Sequence, residues 1–348
     1  MNTPLYPLLT ERKIVEPIWG GGKLAAWLDL PEPHPVHLGE TWQVYDTNLV
    51  TNGPLAGYSL AEIAHRCGTD LVGTRSFARY GADFPLLAKF IAAADRLSIQ
   101  VHPDDAYAHT REAASGFHGK AEAWYILDAA PEANVVYGLS RHSDRDSFAA
   151  AVRDGELEDL LQRIPVAADN VIFVPAGTIH AINAGIMLFE IQQKSDLTYR
   201  VFDYDRRDAQ TGLPRELHLA KALEVSDFGP AHHAKPPALE LAPNRDLLVA
   251  CPYFALERLR VSGEVALGGQ DSFEILILID GEGSLTWSGG TIPLRLGDTP
   301  VLPASLTGCV LSGDTTVLRT YVPDLGALAA DLRDAGYTDA QIGATLHP

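Results

Sequence analysis

The chain has 348 residues, 46% of them hydrophobic and 21% charged, the composition of a globular protein long enough to bury two domain-sized cores. A formal net charge of −18 argues against a nucleic-acid partner, which needs a basic face. It leaves room for a small phosphorylated ligand met by a few local Lys and Arg. The longest apolar run, residues 275–279, is far too short to span a bilayer, so no membrane partner is expected. Residues 1–16 carry no apolar signal-peptide core. Cys67, Cys251 and Cys309 are widely separated and read as free, buried thiols, so the expected compartment is the cytoplasm.

In chain order, strand-like runs broken by Gly and Pro occupy residues 14–46. A short helix follows over 59–67, with Ser59 as N-cap, Glu62 three residues on and Gly68 as stop. Residues 84–91 read as a buried strand with a single charge, Lys89. Residues 98–102 form a short strand on which Gln100 and His102, two apart, share a face. A helix is expected over 104–115, ended by Gly116. Residues 119–127 form a strand with Lys120, Glu122 and Trp124 on one face. Residues 144–163 read as one or two helices, capped by Ser143 and stopped by Pro165. Strands resume over 171–202, and a turn through Gly177 leads to His180.

A Pro-rich stretch, 229–243, reads as a linker. Beyond it, residues 244–323 alternate strands with Gly-rich turns, as a small antiparallel barrel does. This second unit loosely repeats the first, with Ser305-Leu306-Thr307-Gly308 where Gly177-Thr178-Ile179-His180 stood. The repetition suggests a mainly β fold of two jelly-roll (cupin) barrels, the second structural. The expected layout is a metal-binding domain over 1–228 with helical insertions near 55–80 and 104–165. The linker, the second barrel and an amphipathic helical tail over 324–348 complete it.

Gln100, His102, Glu122 and His180 are two imidazoles, a carboxylate and an amide oxygen on segments that a barrel brings together. That donor set makes a borderline nitrogen–oxygen site, with zinc first among the fitting metals and Mn, Fe or Co also compatible. The plainer reading is a pair of core histidines and a tight turn. Convergence of three inward-facing segments, each with a polar neighbour beside the ligand, favours the metal.

Several segments in series closely resemble the type I phosphomannose isomerases, in the order and rough spacing of the short bacterial branch. They are Phe84-Pro85-Leu86-Leu87-Ala88-Lys89, Leu97-Ser98-Ile99-Gln100-Val101-His102-Pro103-Asp104-Asp105 and Gly119-Lys120-Ala121-Glu122-Ala123-Trp124-Tyr125. Val174-Pro175-Ala176-Gly177-Thr178-Ile179-His180 and the run Ser195-Asp196-Leu197-Thr198-Tyr199-Arg200 up to Arg206 continue the match. The resemblance implies a zinc-dependent isomerase of mannose 6-phosphate and fructose 6-phosphate, with one Zn²⁺ on Gln100, His102, Glu122 and His180. It implies active-site roles for Lys120, Asp196 and Arg200, and substrate contacts for Trp19, Glu40 and Lys89. After Glu40 this sequence departs from the family pattern, with Gln43-Val44-Tyr45-Asp46 where Glu and Ser are usual.

Lys120 is expected to act as a proton shuttle, Asp196 to open the sugar ring, and Arg200 to hold enediolate or phosphate charge. The structural alternatives are a Lys120–Glu122 salt bridge, a turn role for Asp196, and pairing of Arg200 with Asp203 or Asp205. Lys89 is expected to reach the phosphate or an acid such as Asp95. The partner is a small sugar phosphate, and a monomer is the expected state. An isomerase of another sugar or sugar phosphate, a metal cupin oxygenase and a non-catalytic sugar-binding or regulatory cupin stay open as other readings.

Overall fold

Strands covered on both faces read as continuous apolar runs, and two such strands, Leu86–Ala93 and Ile186–Gln193, are buried at every position. In the computed structural model, which describes residues 4–207, 211–231 and 234–348, they are neighbours in a six-stranded sheet. Its order is Lys13–Val15, Glu40–Val44, Leu86–Ala93, Ile186–Gln193, Glu122–Ala129, Val171–Val174. A five-stranded sheet runs Tyr199–Phe202, Ile99–Val101, His180–Ile182, Asn134–Leu139, Leu161–Pro165. One buried cluster joins Trp124, Ile172 and Leu188 of the first sheet to Val135, Tyr137 and Ile182 of the second. A second cluster sets Val101, Tyr199 and Val201 against Phe148 and Ala222 of the helices Arg145–Asp154 and Leu219–Val225. The five-stranded sheet therefore has a helix-covered face and a face turned to the other sheet.

The chain falls into two compact units, one of Ile14–Thr41 and Lys89–Lys235, the other of Met1–Lys13, Trp42–Ala88 and Pro236–Pro348. Chain passage between units thus occurs four times, where the sequence suggested one passage through 229–243. The second unit is organised on a seven-stranded antiparallel sheet in which the long strand Cys309–Tyr321 pairs with Ala255–Leu267 in continuous register and with Glu274–Trp287 through one irregularity between Leu278 and Asp280. Leu328, Leu332 and Ile342 of the tail pack on Leu247, Ala255 and Tyr321 of this sheet. Within the sheet, Glu257 is fully buried and accepts Arg245 through two bonds of 2.8 and 2.9 Å and the Tyr321 hydroxyl at 2.6 Å. Arg319 bridges Glu257 and Glu274 beside it.

The architecture is mainly β, as expected, in open sheets rather than closed barrels. Local signals held where a side chain closes them. Ser59 and Glu62 form a reciprocal capping box on Leu60–Cys67, and Asp105–Arg111 leads through a 3₁₀ turn to Gly116. Tertiary pairing overrode the periodicity elsewhere. The expected helix over 144–163 ends at Asp154, is capped by Asp144 rather than Ser143, and gives way to the strand Leu161–Pro165. That strand and Asn134–Leu139 lie inside the supposed helical insertion and pair with each other. In the Pro-rich stretch, Leu239–Ala242 is a strand paired to Arg245–Ala250, because Leu239 and Leu241 have a core to face. The tail divides into Leu325–Asp334 and Asp339–Gly343 on either side of Gly336. All three cysteines are free, and Cys67 is only half-buried.

Candidate metal centre and active site

Strand register assembles the site before any side-chain argument is needed. Residues directly opposite on antiparallel strands share a face, and Gln100 stands opposite both Arg200 and His180, with Tyr137 opposite His180 in turn. Arg200, Gln100, His180 and Tyr137 therefore form one row on the five-stranded sheet, on the face that bears Val135, Tyr137 and Ile182. On the other sheet Glu122 is level with Gln192, and Trp124 with Glu190. His102 lies just past the strand Ile99–Val101, and its carbonyl accepts the amide of Gly177 at 2.9 Å. Gly177 has a φ of 87°, a left-handed turn that glycine adopts without a Cβ penalty, and this turn delivers His180.

The donors converge. His102, Glu122 and His180 are each 1% exposed and place their ligand atoms within 4.8 Å of one another. His102 Nε2 is 3.5 Å from Glu122 Oε2, and His180 Nε2 is 3.3 Å from Glu122 Oε1. Donors about 2.0–2.1 Å from one tetrahedral ion stand about 3.3–3.4 Å apart, so the spacing suits a metal of zinc's size. Each imidazole meets a backbone carbonyl through its other nitrogen, His102 Nδ1 at Leu197 O (2.9 Å) and His180 Nδ1 at Thr178 O (2.8 Å). A carbonyl only accepts, so Nδ1 carries the proton and the Nε2 lone pair is left for a ligand bond. Burial, with Lys120 close by, pushes His102 well below the usual histidine range. Burial likewise pushes His180 down to about 4. Both rings are neutral at neutral pH, the form that binds metal.

Gln100 completes the row with its amide nitrogen 3.4 Å from His180 Nε2. Turning the amide by 180°, which exchanges two nearly indistinguishable atoms, puts its oxygen there instead. Lys120 Nζ is 2.8 Å from Glu122 Oε2 and 3.0 Å from His102 Nε2, so an ammonium stands against two of the donors. The donor atoms thus already face a cationic side chain.

Sequence reasoning missed Glu190. It is 2% exposed, 3.2 Å from Lys89 Nζ and 3.8 Å from Lys120 Nζ, and accepts the Trp124 indole N–H at 3.1 Å. Its signal was present in the sequence: a single carboxylate on the apolar strand Ile186–Gln193, the counterpart of Lys89 on Leu86–Ala93. Lys89 also reaches Glu40 at 3.3 Å. Burial alone would lower Lys89, but Glu190 and Glu40 override it and hold the ammonium protonated. Glu190 itself is raised, first by burial and then by Glu122. Buried Glu122 and Glu190, with half-buried Glu40, thus surround Lys89 and Lys120.

Other expected residues fall differently. Lys89 does not pair with Asp95, which meets Arg206 instead. Asp203 pairs with Arg206 and Arg215, not with Arg200. Trp19 is 4% exposed and packs in the cluster with Ile91 and Trp124. Asp196 is exposed, one residue before the carbonyl that holds His102.

Comparison with known proteins finds two family matches. "Phosphomannose isomerase type I, catalytic domain" covers residues 9–137, and "Mannose-6-phosphate isomerase, cupin domain" covers residues 244–322. The chain is 34% identical to the mannose-6-phosphate isomerase of Streptococcus mutans over 322 residues, 90% of this chain and 98% of that one. It is 35% identical to mannose-6-phosphate isomerase ManA of Bacillus subtilis over 320 residues, 88% and 96% of the two chains. The crystal structure of a Bacillus subtilis mannose 6-phosphate isomerase superposes with a TM-score of 0.81 at 33% identity, covering 90% of this chain and 99% of that one. A putative mannosephosphate isomerase from Archaeoglobus fulgidus shares the fold, with a TM-score of 0.73 at 19% identity over 93% of this chain and 99% of that one.

Proposed function

The chain belongs to the type I mannose-6-phosphate isomerase family, and we propose that it interconverts mannose 6-phosphate and fructose 6-phosphate through a cis-enediol with one zinc ion. The observation that carries the metal is the spacing of His102, Glu122 and His180, two neutral imidazoles turned toward one carboxylate, all buried. Gln100 is the fourth ligand on this reading. When bound, the ion supplies an electrophile that acidifies the carbon next to the sugar carbonyl.

The protein's own groups do the rest. Lys120 Nζ, at the Glu122 and His102 donor atoms, moves the proton between C2 and C1. Asp196, on the exposed segment beside the His102 clamp, exchanges the proton that opens the pyranose ring. Arg200 holds negative charge on the substrate. The Lys89–Glu190–Glu40 group keeps an ammonium fixed beside the centre, and Glu40, the more exposed carboxylate of the two, is placed to accept a sugar hydroxyl.

The test is a coupled assay of fructose 6-phosphate formed from mannose 6-phosphate, on protein stripped with chelator and then given Zn²⁺. Activity lost on stripping and regained with zinc supports metal, reaction and substrate together. A folded, metal-binding protein that turns over nothing with any divalent ion sinks the reading. Comparing mannose with mannose 6-phosphate in Arg200→Ala and Lys89→Met separately assigns the phosphate. An unchanged preference in both removes these two residues from that role.

A further inference from the structure

Arg200, at the end of the row, has unfinished surroundings. Its Nη1 donates to the Glu216 carbonyl at 2.9 Å, and its buried Nε has no hydrogen-bond partner. No Asp or Glu among the described residues forms an ion pair with it. Burial, and next the nearby Arg215, disfavour its charge. A half-buried guanidinium with a spare donor and cationic neighbours is a group waiting for an anion.

What holds Arg200 there is a clamp built on Asp203. Arg215 approaches Asp203 with both Nε, at 2.8 Å from Oδ2, and Nη2, on Oδ1. Arg206 Nη2 adds a bond of 2.6 Å to Oδ1, and its Nη1 reaches the Arg96 carbonyl and Asp95. Asp203 is 4% exposed. Burial alone would raise its carboxyl, but Arg215 and Arg206 hold it below the ordinary aspartate range. The clamp draws the segment after Arg215 alongside the strand Tyr199–Phe202. There Glu216 supplies the carbonyl for Nη1, the His218 amide donates to the Arg200 carbonyl at 2.8 Å, and His218 Nδ1 accepts the Arg200 amide at 3.3 Å. The pairing of that strand with Ile99–Val101 is irregular between Arg200 and Phe202. An irregularity of this kind re-aims a side chain and leaves its direction to outside contacts.

We infer that Asp203 and Arg215 are positioning residues of the reaction, fixing Arg200 beside Gln100, at the end of the row that continues to His180, so that its free donor edge meets the anionic substrate. The inference rests on the isomerase reading and adds to it the device that orients one of its groups.

The experiment is a double-substitution cycle on zinc-loaded full-length protein, reading kcat and KM for mannose 6-phosphate and calorimetric affinity for fructose 6-phosphate. Arg215→Ala and Asp203→Asn are expected to lower kcat/KM by about 10- to 100-fold, the cost of misplacing a substrate-contacting group by about 1 Å. Zinc content should stay at one per chain, and Arg215→Lys should recover part of the loss. In an Arg200→Ala background the further Arg215→Ala substitution should change kcat/KM and affinity less than about 3-fold, since the group it positions is gone. Where turnover in that background is too slow to time, the affinities complete the cycle. An equal Arg215→Ala penalty with and without Arg200 would overturn the inference and make the clamp merely structural. No penalty in either background overturns it too. A wild type that does not convert mannose 6-phosphate overturns the isomerase reading itself, whereas an active wild type with an indifferent Arg215→Ala overturns only the clamp.

Discussion

Replacing Lys89 by Met should expose how the buried charges of the centre depend on one another. Lys89 and Glu190 have side chains only 10% and 3% exposed and meet at 3.2 Å. With an effective dielectric near 20, that separation corresponds to an attraction of about 5 kcal/mol. Desolvation of both groups offsets much of it, so the intact pair contributes little net stability. Removing only the ammonium is different. Glu190 and Glu122 then share Lys120, which stands 3.8 Å from Glu190. Breaking a buried pair from one side typically costs about 3–5 kcal/mol. Methionine fills most of the lysine stem's volume, so little of the loss comes from a cavity. Urea unfolding with chelator present should show Lys89→Met less stable by about 3 kcal/mol. The double variant Lys89→Met/Glu190→Gln should regain at least about 1 kcal/mol, because the stranded charge has gone. A Lys89→Met protein within about 1 kcal/mol of wild type would refute the reasoning. So would a double variant whose loss equals the sum of the two single losses.

Other consequences follow from the same structure. A Cβ added to Gly119 would lie 2.5 Å from the backbone of Asp104 and Asp105, so Gly119→Ala must shift the neighbouring Lys120. Isomerase activity should fall at least about 10-fold with metal content unchanged, and full activity would show that Lys120 needs no such placement. Zinc at about 100 times its dissociation constant should stabilise the stripped protein by about 2.7 kcal/mol in thermal unfolding, and a zinc-independent midpoint would count against the site. Glu257→Gln should destabilise by about 3–5 kcal/mol at neutral pH, since Arg245 and Arg319 lose a fully buried counter-charge. Burial would raise the Glu257 carboxyl, but its hydrogen bonds and arginines hold it below the ordinary 4.5. Its contribution is therefore complete above pH 4.5 and lost as pH falls through the lower folded-state value, so the gap between variant and wild type should narrow only on acidification. A gap independent of pH between 2 and 6 would contradict this.

The residues of the candidate metal centre were legible because each announced itself locally. Gln100 sits on a short strand, Glu122 opens an apolar one, and His180 follows a turn that needs Gly177. Period-two alternation and a glycine turn are properties of a few adjacent residues, and so are the caps at Ser59 and Asp104. Chain order alone, however, assigns no partners to a buried charge. Lys89 was visible as a lone ammonium on an apolar strand, yet its partners, Glu190 and Glu40, lie 101 and 49 residues away, and Asp95, only six away, turned elsewhere. The same limit misread the end of residues 144–163: Arg145–Asp154 is helical as expected, but Leu161–Pro165 is a strand because Asn134–Leu139 offers an edge.

The sequence by itself determined the fold class, the cluster of His102, Glu122 and His180 and the family of reaction, because side-chain chemistry and local period are carried within each segment. Only the tertiary structure decided how the sheets are ordered and that Gln100 stands between Arg200 and His180. It alone brought Glu190 between two lysines and tied Asp203 to Arg215. The physical reason is that strand register and the pairing of buried charges are set by packing and by the cost of leaving a charge unmatched. Both are properties of the assembled core, and no stretch of chain holds them alone.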